Sequence, residues 1–258
     1  MRVKLKAEPI LNVPPVVVAL LAALALVHVG RAFLLSRDED IEFLLNFAFI
    51  PARYETSLLP AGSFPGGWGA EVWTFATYAL IHADLVHLAI NGVWVLAFGS
   101  AIARRFGAAR FLAFFAATAA AGAATHLVTH GGELFPMVGA SAAISGFMAA
   151  AMRFAFQAGG PLGTWQAADA EAYRVPAAPL GIVLRDPRVL AFLAVWFGLN
   201  ILFGIGSVTI PGIEQAIAWQ AHIGGFLAGL VLFPVFDPVR APAGADGSGG
   251  RGAGPTHH

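Results

Sequence analysis

An all-α, polytopic membrane fold of six helices is what the sequence predicts. Three observations predict it: six long apolar stretches, a low share of charged residues, and a lopsided placement of the cations. Of 258 residues, 58% are hydrophobic and 12% charged, with mean hydropathy +0.73. Soluble domains carry about 25% charge, so much of this surface faces something other than water. The apolar stretches run over 15–35, 85–103, 111–129, 138–156, 189–205 and 217–236, each close to the ~20 residues that cross a bilayer as a helix. If residue 1 lies inside, twelve of the 15 Lys and Arg fall in cytoplasmic segments: Arg2, Lys4, Lys6, Arg104, Arg105, Arg110, Arg153, Arg174, Arg185, Arg188, Arg240 and Arg251. Arg31, Arg37 and Arg53 fall outside. That asymmetry orients both termini to the cytoplasm and checks the span count as well.

The elements follow in order. Residues 1–14 form a basic cytoplasmic segment. Arg2, Lys4 and Lys6 before an apolar run resemble a secretory leader. The run, however, continues to Leu35 without an A-x-A site, and five more spans follow, so a retained first helix is expected. Residues 15–236 form the membrane domain. Its first external segment, 36–84, is long and mixed, rich in Pro, Gly, aromatics and acids. Residues 237–258 read DPVRAPAGADGSGGRGAGPTHH, a composition that predicts a disordered cytoplasmic tail. There is no evident internal repeat. With no cysteine, the chain lacks disulfides, thiolate nucleophiles and Cys-ligated metals. Zero net charge and a pI near 7.1 give no reason to expect nucleic acid.

Polar groups within the spans are few, and each is therefore informative. Span two opens LIHADLVHLAINGVW, in which Asp84 is a plausible N-cap and His87 and Asn91 share one helix face at i,i+4. Span four carries Ser141 in VGASAAISGF, five residues past Pro136, which puts it about 8 Å below the outer helix end. Span six carries His222 in AWQAHIGGFLAGL, in its outer half. Gly139, Ala143 and Gly146 on span four, and Gly225 and Gly229 on span six, are small residues at spacings that let helix backbones approach closely in lipid. A crossing along those faces brings Ser141 within reach of His222, which then takes the serine proton as general base. The Ser141 backbone N–H and the His87 and Asn91 side chains are candidate oxyanion donors. No acidic residue lies near His222, which predicts a dyad without a third member. Ser145 reads as helix packing, and the His126/His130 pair as interfacial histidines rather than metal ligands. No metal site and no cofactor are expected.

The combination of G-x-S (Gly139, Ser141), H-x-x-x-x-H-x-x-x-N (His82, His87, Asn91) and A-H-x-x-G-x-x-x-G (Ala221, His222, Gly225, Gly229) resembles the rhomboid intramembrane serine proteases, over roughly residues 73–236. The resemblance implies Ser141 as nucleophile, His222 as base, and His87 and Asn91 as oxyanion donors. His82 would support the site at its upper edge. It also implies that 36–84 is a membrane-embedded loop and that 206–216 caps the site beside a gate on span five, where Trp196, Phe197 and Phe203 stand. Three positions depart from the family pattern. Ala142 follows the nucleophile in place of glycine, adding a methyl near the oxyanion hole. Ser145 stands where some members have an aromatic, and Trp73-Thr74 replaces a Trp-Arg pair.

Other chemistries fail on composition. No H-E-x-x-H occurs for a zinc protease, and only Asp84, at a helix start, is available to an aspartyl enzyme. A transporter would show repeated halves and midplane polar groups, and neither is found. A catalytically silent rhomboid-like binding factor or chaperone is the remaining alternative; such relatives lose the nucleophile or the base, and both stand here. The expected protein is thus a serine-type endopeptidase, a multi-pass hydrolase of a bacterial inner membrane. It would act on transmembrane protein substrates within the lipid bilayer. Its oligomeric state is left open by the sequence.

Overall fold

The computed structural model describes residues 12–239 except 56, 58, 59, 61, 163–169 and 205–217. Helix α1, Pro15–Leu34, begins with proline, whose fixed φ suits a first turn. Val17, Leu20 and Leu24 bury one narrow stripe against the bundle, while Leu26, Phe33 and Leu34 are more than 70% exposed. Apolar side chains this exposed along a whole helix fit a lipid solvent. Helix α2, Arg37–Phe47, starts with a complete capping box between Ser36 and Glu39. Helix α3 is Gly67–Thr77, and α4 is Leu85–Phe106, interrupted by a π-turn at Val95–Gly99. Gly107, at φ +76°, ends α4 and lets the chain reverse into α5, Ala108–Thr129. Helix α6 is Ser141–Ala151, α7 is Pro187–Gly204 and α8 is Trp219–Phe236. No strand occurs among the described residues.

Among the described residues, four helices, α1, α4, α5 and α8, are long and apolar enough to cross a membrane; α6 and the Pro187–Leu202 stretch of α7 are apolar but shorter. The fourth apolar stretch is where the sequence expectation needs correction. Helix was expected over 138–156, yet it spans only eleven residues, about 17 Å. The reason lies upstream. Phe49 and Met137 exchange backbone hydrogen bonds of 3.2 and 2.8 Å, and Gly139 N–H is drawn to the Tyr78 carbonyl at 3.1 Å. These bonds hold 137–139 out of the helix. Ser141 is therefore not one turn down a longer helix but its first residue.

Every residue of α6 after Ser141 is buried, which marks it as the central helix, since a helix apolar all round belongs inside a bundle. Its neighbours approach closely. A Cβ on Gly146 would lie 2.6 Å from Thr118 Cβ of α5, and one on Gly229 would lie 2.6 Å from Gly146 Cα. At the C-terminal end of α4, Arg105, almost fully buried, pairs in a fork with Asp237 at 2.8 and 2.9 Å and donates to the Tyr173 and Val175 carbonyls. Asp237, the first residue assigned to the tail by composition, is thus anchored to the bundle. Residues 240–258 and 1–11 lie outside the described residues.

The segment 36–84 is built into the bundle by named bonds. Arg31 at the end of α1 pairs with Asp40 at 2.7 and 3.0 Å and donates to the His82 carbonyl. Trp73 Nε1 donates to Asn46 O at 2.8 Å, and Thr77 Oγ1 to Phe47 O at 2.7 Å. Thr74, at the position where the resembling family has arginine, is buried and bonds to Ala70 O and the Tyr54 hydroxyl. A guanidinium arrives from elsewhere: Arg53 donates to the Pro65 and Leu45 carbonyls and lies over Phe64.

Candidate active site

Ser141 stands at the N-terminal tip of α6, at the positive end of the helix dipole. The first turn of any helix leaves its amides without intrahelical partners, and no side chain caps this one. Across from it, on α8, His222 points Nε2 at Ser141 Oγ at 2.7 Å. Both residues are partly exposed, whereas Ser145, one turn lower, is buried and spends its hydroxyl on the Ser141 carbonyl at 2.8 Å. Of the two serines, only the first has a hydroxyl facing a base.

Glycines set this distance. A Cβ on Gly225 would collide with the Ala142 carbonyl and lie 2.7 Å from its carbon, so α8 rests directly on the backbone beneath Ser141. Gly139 has a different task. At φ +121° it takes a conformation that residues with a Cβ avoid, and the space a Cβ would fill is occupied. That point lies 2.7 Å from His87 Nε2 and 3.7 Å from Ser141 Oγ. Glycine in G-x-S therefore lets the His87 ring lie beside the serine.

His87 is placed by the start of α4, where the Asp84 carboxylate accepts its backbone N–H at 2.7 Å. His82 packs edge-on against it, with ring centroids 5.0 Å apart, and is fully buried with neither ring nitrogen hydrogen-bonded. Asn91 lies one turn below His87. Its amide donates to the His87 carbonyl at 2.9 Å and makes no bond to Ser141. The structure thus joins Ser141, His222, Gly139, Gly225 and His87 in one cluster, backs His87 with His82, and sets Asn91 a turn away.

The methyl of Ala142 does not point toward Ser141's outer face. It fills the gap opposite Gly122 of α5, where a Cβ would lie 2.5 Å away. Trp196 stacks on Phe226 with centroids 4.7 Å apart, and Phe197 meets Trp196 edge-on at 4.7 Å. The Phe203 side chain and the expected cap at 206–216 lie outside the described residues.

Sequence reasoning overlooked one residue. Asn200 of α7, nearly buried, places Oδ1 2.6 Å from His222 Nδ1 and donates from Nδ2 to the Trp196 carbonyl at 2.8 Å. No acidic third member was expected beside His222; the group set against its Nδ1 is an amide. An asparagine in the apolar run WFGLNILF was the available signal. The histidine pair of α5 also has a third member. His126, His130 and Glu133 bring one ligand atom each within 4.8 Å of one another, and His126 Nε2 lies 3.5 Å from Glu133 Oε2.

Residues 69–237 match the family model for the Rhomboid domain, a stretch that runs from the first turn of α3 through α8 and includes every site residue named above. No curated protein matches the chain.

Proposed function

The chain belongs to the rhomboid family, and from that premise we propose that it is an active serine endopeptidase, cutting transmembrane substrates near the outer end of their membrane helix. The observation that carries the proposal is the 2.7 Å contact between Ser141 Oγ and His222 Nε2. A silent relative would have no need of a base held at that distance by a backbone-on-backbone helix crossing.

The chemistry runs through this chain's own groups. His222 Nε2 accepts the Ser141 proton as Oγ attacks the carbonyl carbon of the scissile peptide. Negative charge then develops on the carbonyl oxygen. It is received by the free backbone N–H at the start of α6, aided by the dipole of that helix, and by the neighbouring His87 ring. His222 returns the proton to the leaving amine, and the acyl group remains on Ser141. Water, deprotonated by His222, releases the new carboxylate and restores the hydroxyl. Asn91 serves through His87, whose carbonyl it holds. A helical peptide bond is sterically shielded and hydrogen-bonded, so the substrate must unwind locally, which favours Gly or Pro near the cut.

Membrane placement follows from the same reading. The bundle crosses six times, with α6 and α7 as the shorter crossings. Both termini face the cytoplasm, in keeping with the distribution of Lys and Arg, and Ser141 opens toward the outer face of a bacterial inner membrane. Residues 1–14 and 237–258 then flank a membrane domain over 15–236.

The test is labelling of the detergent-solubilised protein with a fluorescent fluorophosphonate, which reacts only with an activated serine. Wild type is expected to label, and Ser141→Ala and His222→Ala to stay dark while folded. A folded wild type that does not label would sink the protease reading in favour of a silent binding factor.

A further inference from the structure

We propose that Asn200 is the positioning residue of the site, completing a Ser141–His222–Asn200 relay in which an amide does the work usually given to a carboxylate. The proposal deepens the protease reading and rests on it. Three bonds on three helices make the case. Asn200 Nδ2 donates to the carbonyl of Trp196, one turn back on α7, at 2.8 Å. That bond decides which way the amide faces, because turning it over would set Oδ1 against the Trp196 oxygen, two acceptors in contact. Oδ1 is therefore the atom at 2.6 Å from His222 Nδ1.

A carbonyl oxygen can only accept, so Nδ1 must carry the proton. Neutral imidazole has one N–H, which leaves the lone pair on Nε2, the atom 2.7 Å from Ser141 Oγ. The opposite tautomer would aim an N–H at the serine and could not take its proton. Asn200 thus selects the only neutral form of His222 that works as a base. It also holds the ring plane toward Ser141 and directs a carbonyl dipole at the positive charge that forms on the ring during the reaction.

The choice of an amide suits the location. Asn200 is 8% exposed, one turn past Trp196, whose ring stacks on Phe226. An ionised carboxylate there would be costly to bury, whereas the amide supplies the same acceptor without net charge. Asn200 is carried by α7, a different helix from both of its partners in the relay. A displacement of α7 away from α8 would release His222 and lower reactivity without touching Ser141.

Two readouts on the full-length solubilised protein test the assignment. The first is the ¹⁵N spectrum of histidine-labelled wild type, with His222 assigned through its substitution by Gln. Protonation at Nδ1 is expected, and Nε2–H would overturn the proposal without any variant being made. The second is the fluorophosphonate labelling rate. Asn200→Leu, similar in shape but without an acceptor, should label about 10- to 100-fold more slowly, as expected for one hydrogen bond lost in the transition state. Asn200→Asp, kept neutral by the same burial, retains the acceptor and has an O–H to give the Trp196 carbonyl, so it should recover most of that rate. Wild-type labelling by folded Asn200→Leu, or equal slowing in both variants, would refute the positioning role while leaving the protease reading intact. A wild type that does not label but shows Nδ1–H would instead sink the protease reading and leave the hydrogen bond standing.

Discussion

Replacing Gly225 by alanine should uncouple the site while barely changing its composition. The new Cβ would lie 2.7 Å from the Ala142 carbonyl carbon and nearer still to its oxygen. These are backbone atoms of the central helix and have no rotamer by which to yield. Restoring an ordinary carbon–carbon contact of about 3.7 Å requires α8 to retreat by roughly 1 Å. His222 sits one turn earlier on the same face of α8, so its 2.7 Å bond to Ser141 would stretch to about 3.7 Å, past hydrogen-bonding range. A 1 Å misplacement of a catalytic group costs about 10²-fold in rate, and overpacking costs about 1–3 kcal/mol of stability. Fluorophosphonate labelling rate and thermal denaturation, measured on the same solubilised sample, read the two effects separately. Gly30→Ala is the control: nothing lies within 4 Å of its Cβ position, so labelling should be unchanged. A Gly225→Ala protein that labels at the wild-type rate would show that the small-residue face does not set the Ser141–His222 distance.

Three further outcomes are expected. Gly122→Ala should lower the melting temperature, because its Cβ would meet Ala142 Cβ at 2.5 Å; adding Ala142→Gly should recover part of the loss, leaving the 2.9 Å approach to the Ala221 carbonyl and the 3.2 Å approach to the Tyr78 hydroxyl. No recovery in the double variant would mean the two residues do not share that gap. Labelling should fall on acidification, since protonated His222 cannot accept a proton, and the half-buried Asp186 before α7 should contribute nothing to that fall. Hydrogen bonds from the Arg188 side chain and backbone hold the Asp186 carboxyl down from 3.8 to about 2. A depressed carboxyl stabilises the fold above its unfolded value, and this contribution fades only as pH drops from 3.8 toward about 2. Asp186→Asn should therefore leave the profile above about pH 5 unaltered, and a shifted profile would implicate this loop. Arg53→Ala strands two carbonyls, Pro65 and Leu45, at a cost of about 1–3 kcal/mol. Arg53→Lys should not restore the melting temperature, for an ammonium lacks the guanidinium fork. An unchanged melting temperature in Arg53→Ala would remove Arg53 from the anchoring of 36–84.

The legible part of the site was the part written in local pattern. Gly139 and Ser141 are two residues apart, and His222, Gly225 and Gly229 share one face of one helix. Small residues among large ones announce a close crossing wherever the helices finally lie. His87 and Asn91 were likewise found by i,i+4 spacing, although only His87 borders the space that Gly139 leaves beside Ser141. Asn200 escaped because its role depends on how far α7 is rotated about its own axis. A helix apolar on every side carries no amphipathic stripe from which that rotation can be read.

The sequence by itself determined the solvent, the order of the apolar helices, and the identities of the serine and histidine that meet. Hydropathy and spacing are sums over near neighbours, and near neighbours suffice for these. Tertiary structure alone decided where α6 begins, since Ser141 becomes a helix start only when Phe49 and Tyr78 hold 137–139 out of the helix. It alone turned Ala142 toward Gly122, brought Arg53 to the loop carbonyls, and set Asn200 against His222. All but the Arg53 bonds join groups on different helices or far apart in the chain, and a hydrogen bond depends on distances of a few tenths of an ångström, which only the packed bundle defines.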